Sequence, residues 1–205
     1  MTTTTSTPGP KAPRPRGIAR REALLEAVLR IVAEVGPDAV THRRVAEEAE
    51  LPLASTTYWF DSKEHLLTAA LELAAERDTA RLLAYVAQDG AGDASDPLDA
   101  VVAAIYESCT GGSQASRSSL MASYALLLEA ARRPALREIA RRWTEAYLLT
   151  LERLLRAAGS PHPRADAELL LAAADGLLIG QLAAGVQDDL RPRLRRLAAA
   201  LVASR

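Results

Sequence analysis

Between residues 18 and 71 the apolar residues repeat at helical spacing in three short runs and one long one, with a turn signal at each join. Leu24, Leu25, Val28, Leu29, Val32 and Val35 mark one face of a first helix over about residues 18–35. Gly36-Pro37 stops that helix. Thr41 is placed to cap a second helix over about 42–49, which buries Val45, Ala46 and Ala49. A turn at 50–52 leads to a third helix over about 53–60. Asp61 breaks the pattern, and Ser62 caps a fourth helix with Glu64 in its first turn. That helix continues to about Ala87, a rod of roughly 40 Å at 1.5 Å per residue. Three short helices around a tight turn are the layout of a helix-turn-helix head that binds DNA.

The remainder of the 205 residues reads as helix throughout. Aromatic residues are 4% of the chain, Ala and Leu dominate, and no strand-like alternation or internal repeat occurs. Further helices are expected at 97–109, 118–132, 134–158, 164–187 and 191–203, with Asp96-Pro97 as a start signal and Gly159-Ser160-Pro161 as a break. The fold expected is all-α, with a three-helix helix-turn-helix head joined by a long helix to a helical body. Its divisions are a disordered basic tail at 1–17, the DNA-binding domain at 18–65 and the body at 66–205. The tail is Thr- and Pro-rich and has no apolar stretch like that of a signal peptide. Its basic end, Lys11, Arg14 and Arg16, runs on to Arg20 and Arg21. Two readings stay open for it, a solvated tail or an arm that follows phosphates or enters a minor groove.

Several function classes find no support. With one cysteine, Cys109, an internal disulfide is impossible, and no zinc-site spacing is present. A reducing cytoplasm is the natural location. The histidines are His42, His65 and His162, two of them in the head, and no Glu-x-x-His pair suggests a di-iron bundle. There is no phosphate-binding glycine loop or nucleophile elbow. Asp175 within an apolar helix is a possible perturbed acid, but one such residue does not make an active site. The expectation is therefore no enzyme, no metal and no cofactor. Residues 169–186 form a nearly continuous apolar run, yet they contain Asp175 and Gln181 and are short for a membrane span of about 20 residues. A buried helix outside any membrane is the better reading.

Packing of Leu24, Val28, Val45, Ala49, Leu51, Thr56, Phe60 and Leu67 into a small core leaves one face of the third helix outward: Ser55, Thr57, Tyr58 and Trp59. Hydroxyls and aromatics there suit mixed base and phosphate contacts in a major groove. Arg44 can instead pair with Glu47 or Glu48, and Trp59 can pack on the neighbouring helix. The nine basic and nine acidic residues from Lys11 to His65 balance, so DNA binding requires the acids to lie away from the contact face.

Residues 20–67, RREALLEAVLRIVAEVGPDAVTHRRVAEEAE followed by LPLASTTYWFDSKEHLL, closely resemble the N-terminal domain of the TetR family of transcriptional regulators. The resemblance implies a base contact for Arg43, a phosphate contact for Thr41 and recognition positions for Ser55, Thr57 and Tyr58. It also implies a backbone contact for Trp59 and a phosphate-binding role for Lys63. Three departures stand out: Glu50 and Ala54 occupy usual glycine positions, and the usual tyrosine is Thr57, with Tyr58 one place on.

In the body, Ala172, Gly176, Gly180 and Ala184 recur every four residues and form one ridge of small residues. Such a ridge lets another backbone approach closely. It predicts a homodimer in which this helix and the 134–158 helix form a four-helix interface, the same pair that the resemblance favours. The resemblance further implies a small-molecule site in the body. Tyr106, Cys109, Tyr124, Trp143 and Tyr147 are the polar-tipped or polarisable residues there, and each could equally be ordinary core. The ligand expected is a small apolar one, uncharged or weakly polar. The function expected is a sequence-specific regulator of transcription, a repressor released by that ligand from a palindromic double-stranded DNA operator. The alternative is a helical dimeric adaptor or ligand-binding protein that does not touch DNA.

Overall fold

The computed structural model describes residues 15–87, 96–110 and 117–204, without the side chains of residues 15 and 107–110. Helix α1 (Pro15–Glu34) begins in what the sequence suggested was tail. It buries Leu24, Leu25, Val28, Ile31 and Val32. Val35 is exposed instead of continuing that face, because the helix ends at Glu34 and the chain turns at Gly36 with φ 102°. Only glycine adopts that angle without strain.

A short 3₁₀ turn (Pro37–Ala39) leads to α2 (His42–Glu48). The Thr41 hydroxyl accepts the Arg44 N–H at 3.2 Å, which satisfies one orphan donor of the helix start. Helix α3 (Leu53–Trp59) follows. Phe60 ends it in extended conformation and is fully buried, as is Thr56. Ala49 and Leu51, expected in the head core, are only partly buried against it. The imidazole of His42 donates through Nε2 to the Phe60 carbonyl at 2.9 Å, pinning the end of α3 to the start of α2. Between them, Glu50 has φ 53°, the one non-glycine positive φ among the described residues.

Helix α4 (Lys63–Ala87) starts on the Ser62 cap, whose hydroxyl accepts the His65 N–H at 3.1 Å. Its buried residues run from Leu66 and Leu67 in the head to Leu82 in the body. The body adds α5 (Pro97–Thr110), α6 (Arg117–Ala130), α7 (Pro134–Ala157), α8 (Pro163–Ala184) and α9 (Arg191–Ala203). No strand occurs among the described residues. Asp96 caps α5 by accepting the Leu98 N–H at 2.9 Å. Helix α7 packs on α4, α5, α6 and α8, and α6 lies along α1, so body and head share one continuous core. Helix α8 stops at Ala184, short of the expected residue 187, because Gly185 takes a left-handed φ of 72°.

Candidate nucleic-acid interface and body recess

The head presents α3 as its outer surface. Tyr58 is 77% exposed, and Thr57 is exposed beside it. Ser55 and Trp59 are half-buried, and Trp59 packs partly against the core. The two rings of Tyr58 and Trp59 meet edge to face, 5.0 Å between centroids. Thr41, Arg43 and Arg44 are exposed on the neighbouring start of α2. Lys63 is half-buried, and its ammonium donates to the Asp38 carbonyl at 2.8 Å.

Ion pairs account for part of the acid charge of the head. Arg43 Nε bonds Glu47 at 2.8 Å, and that carboxylate holds the guanidinium still more firmly protonated. Arg30 takes Glu48 at 2.6 Å, on both its carboxylate and, at 3.1 Å, its carbonyl. The partner of Arg43 is thus Glu47, while Arg44 has no ion pair among the described residues. On α1, Arg16 and Arg20 are exposed, and Arg21 lies over the Phe60 ring at 5.8 Å. Lys11 and Arg14 lie outside the described residues.

The body contains a recess of about 480 Å³, open mouth included, walled by α4, α6, α7 and α8. Tyr124, Trp143 and Tyr147 come together in its lining, with Leu120, Leu127 and Leu171 as the apolar remainder. Tyr106 does not line it; that ring lies under the Arg191 guanidinium at 5.1 Å, between α5 and α9. The Cys109 side chain lies outside the described residues.

Two carboxylates, Asp78 and Asp175, also line the recess, which sequence patterning did not assign to it. Asp78 is paired with Arg81 one turn along α4. Asp175 accepts the Tyr124 hydroxyl at 3.0 Å and has no ion pair among the described residues. Burial pushes its carboxyl above the usual aspartate range, against the opposite pull of that hydrogen bond. The Trp143 indole N–H is buried with no acceptor among the described residues, which costs roughly 1–3 kcal/mol. The signal for Asp175 was present in the sequence, an acid in the middle of an apolar helix, but only packing reveals what it faces.

On the outer side of α8 the small residues Ala172, Gly176, Gly180 and Ala184 are all exposed, alongside Leu169 and Ile179. On α7, Leu149 is exposed as well. Helix α8 is the one described helix long and apolar enough to cross a bilayer, yet only 22% of its most apolar stretch is buried within the chain. Arg164 at its start holds Glu145 of α7 through two bonds of 2.8 and 2.9 Å, so α7 and α8 present their outer surfaces as a unit.

Comparison with known proteins agrees with this arrangement. Residues 92–204 match the family described as the tetracyclin repressor-like C-terminal domain. A curated relative, the HTH-type transcriptional regulator PksA of Bacillus subtilis (strain 168), is 31% identical over 70 residues, 34% of each chain. The match thus spans about a third of that protein. Among solved structures, the multidrug binding protein EbrR in complex with imidazole is 31% identical with a TM-score of 0.68, covering 91% of this chain and 96% of that one. A member of the TetR family from Streptomyces coelicolor A3 is 31% identical with a TM-score of 0.70, covering 90% and 99%. A transcriptional regulator from Rhodococcus sp. Rha1 is 25% identical with a TM-score of 0.76, covering 88% and 95%. With residues 92–204 matched by the family's own domain and about nine-tenths of its length by solved structures 31% identical to it, the chain belongs to the TetR family of transcriptional regulators.

Proposed function

We propose that the protein is a cytoplasmic homodimeric repressor that a small, largely apolar ligand releases from a palindromic operator. The observation that carries the DNA part is the outward Tyr58 on a short helix whose other side is locked by Phe60 and Thr56. A helix of that kind enters the major groove of B-DNA, and its side chains reach base edges. Ser55, Thr57 and Tyr58 then read bases, Arg43 reaches one from α2, and Thr41, Arg44, Trp59 and Lys63 hold phosphates. Arg16 supports this reading: a cation in the first turn of α1 opposes the helix dipole, and a phosphate nearby would offset that.

A single head offers few contacts, so specificity requires a second one. The exposed ridge on α8, with Leu149 on α7 beside it, is the surface that a twofold partner would cover. The pairing sets two α3 helices against two half-sites of one operator. Ligand release is supported by the recess between α4 and α8, because α4 also forms part of the head. EbrR, similar over 90% of this chain, is a multidrug binding protein seen with ethidium. An occupant that favours one setting of α4 shifts the heads, and the coupling must be reciprocal.

The test is a fluorescence anisotropy titration of the dimer against operator duplex, with and without a ligand that fills the recess. Repression by release predicts weaker operator binding when the recess is full. Unchanged affinity at saturating ligand contradicts it.

A further inference from the structure

We propose that Leu53 makes α3 a reader of thymine methyl groups, with one thymine of each half-site lying against its side chain. The proposal rests on the reading of α3 as the helix that enters the major groove, and it specifies a base and an atom met there.

The first argument is that the fold makes little use of this leucine. Leu53 is the first residue of α3 and is 50% exposed, whereas Thr56 and Phe60 on the inner side are fully buried. Its carbonyl accepts the Thr56 hydroxyl at 2.8 Å, but any residue supplies a carbonyl. A helix start gains stability from Ser, Thr, Asp or Asn at the cap, yet Pro52 holds that place and makes no side-chain bond to the helix. Neither core packing nor capping therefore accounts for a large aliphatic side chain at this position.

The second argument is what surrounds it. Ala54 is exposed beside Leu53, and Thr57 and Tyr58 are exposed one turn further along the same face. The Thr57 hydroxyl turns back to the Ala54 carbonyl at 3.4 Å. The leading half of the outer face is thus largely hydrocarbon. Side chains at the N-terminal end of a recognition helix reach base edges. A leucine cannot hold a phosphate, because it has no donor. In the major groove the bases offer donors, acceptors and one hydrocarbon group, the C5 methyl of thymine. Against any other edge the leucine would strip water from polar atoms without replacing their hydrogen bonds. Leu53 therefore favours thymine where it docks.

The test replaces thymine by 2′-deoxyuridine, which keeps the pairing and groove hydrogen-bonding atoms and lacks only the C5 methyl. The starting duplex is an operator enriched from random duplex DNA by the full-length protein. Its thymines are replaced one symmetric pair at a time, and binding is followed by fluorescence anisotropy at fixed salt. At one such pair the wild type should lose about fifteenfold in affinity, at roughly fourfold for each methyl contact removed. Leu53→Ala should bind the unmodified operator at least as weakly as the wild type binds that uridine duplex. The same replacement should then cost the variant less than about twofold, while losses at other pairs persist. Leu53→Met, apolar and of similar volume, should keep the preference for thymine. Both variants should melt as the wild type does, since Leu53 lies outside the core. A wild type that loses no more than about twofold at every pair overturns the proposal, as does a Leu53→Ala protein with the full thymine preference. Either result on a tightly bound operator leaves the DNA reading of α3 standing. Failure to enrich any sequence overturns both.

Discussion

Tyr58 and Trp59 are neighbours with opposite fates: they meet edge to face at 5.0 Å, but Tyr58 points into solvent while Trp59 packs partly against the core. Their substitutions should therefore separate binding from stability. Tyr58→Ala is expected to weaken binding by about five- to 150-fold per half-site, the range for losing a base contact of about 1–3 kcal/mol, so the dimer loses at least tenfold on the full operator. Its melting temperature should shift little, since the ring is exposed and forfeits at most the edge-to-face contact of about 1 kcal/mol. Trp59→Ala should lower both. Anisotropy titrations and thermal melts on the same samples check this, and a Tyr58→Ala protein that melts early but binds normally would reverse the assignment.

Glu50 carries backbone strain in the turn before α3. Its φ of 53° costs a non-glycine residue roughly 1–2 kcal/mol. Glu50→Gly should recover about 1 kcal/mol and raise the melting temperature by about 2–4 °C for a chain of this size. A fall in melting temperature would show that the carboxylate has a compensating role there.

Lys63 distinguishes a phosphate contact from a purely structural tie. It holds the Asp38 carbonyl at 2.8 Å, and the Asp38 carboxylate lies 3.6 Å away. If it also meets a phosphate, Lys63→Gln should reduce the salt-dependence slope of operator binding by about two, one for each subunit of the dimer. A structural role alone would lower the melting temperature and leave the slope unchanged.

Gly176 tests the pairing surface cleanly. A Cβ built there meets nothing within 4 Å, so the chain itself has room for a larger side chain. Leucine also favours helix over glycine by roughly 0.8–1 kcal/mol. Gly176→Leu should therefore keep its helical circular dichroism while sedimenting as monomer at concentrations where the wild type is dimeric. A fully dimeric variant would move the interface away from the α8 ridge.

The sequence was most informative where structure is decided locally. The Thr41, Ser62 and Asp96 caps each depend on residues within three positions, and all three hydrogen bonds form. Periodicity failed where it could not register backbone angle: Val35 and Val186 continue the apolar rhythm, but Gly36 and Gly185 turn the chain. It also could not foresee that α1 would begin at Pro15. Within the body, side-chain type marked Tyr124, Trp143 and Tyr147 as candidates, yet only the packing of α4, α6, α7 and α8 separates them from Tyr106. Asp78 and Asp175 are 97 positions apart, so their shared recess is a tertiary fact with no local signature.

The most direct test of the account is selection of bound sequences from a random pool of duplex DNA by the full-length protein at low salt. The account predicts an enriched palindrome whose half-sites lie about one DNA turn apart, or a multiple of it, and loss of that enrichment in Tyr58→Ala. A pool with no enriched sequence, or enrichment identical in Tyr58→Ala, would contradict the assignment of α3 as the reading element.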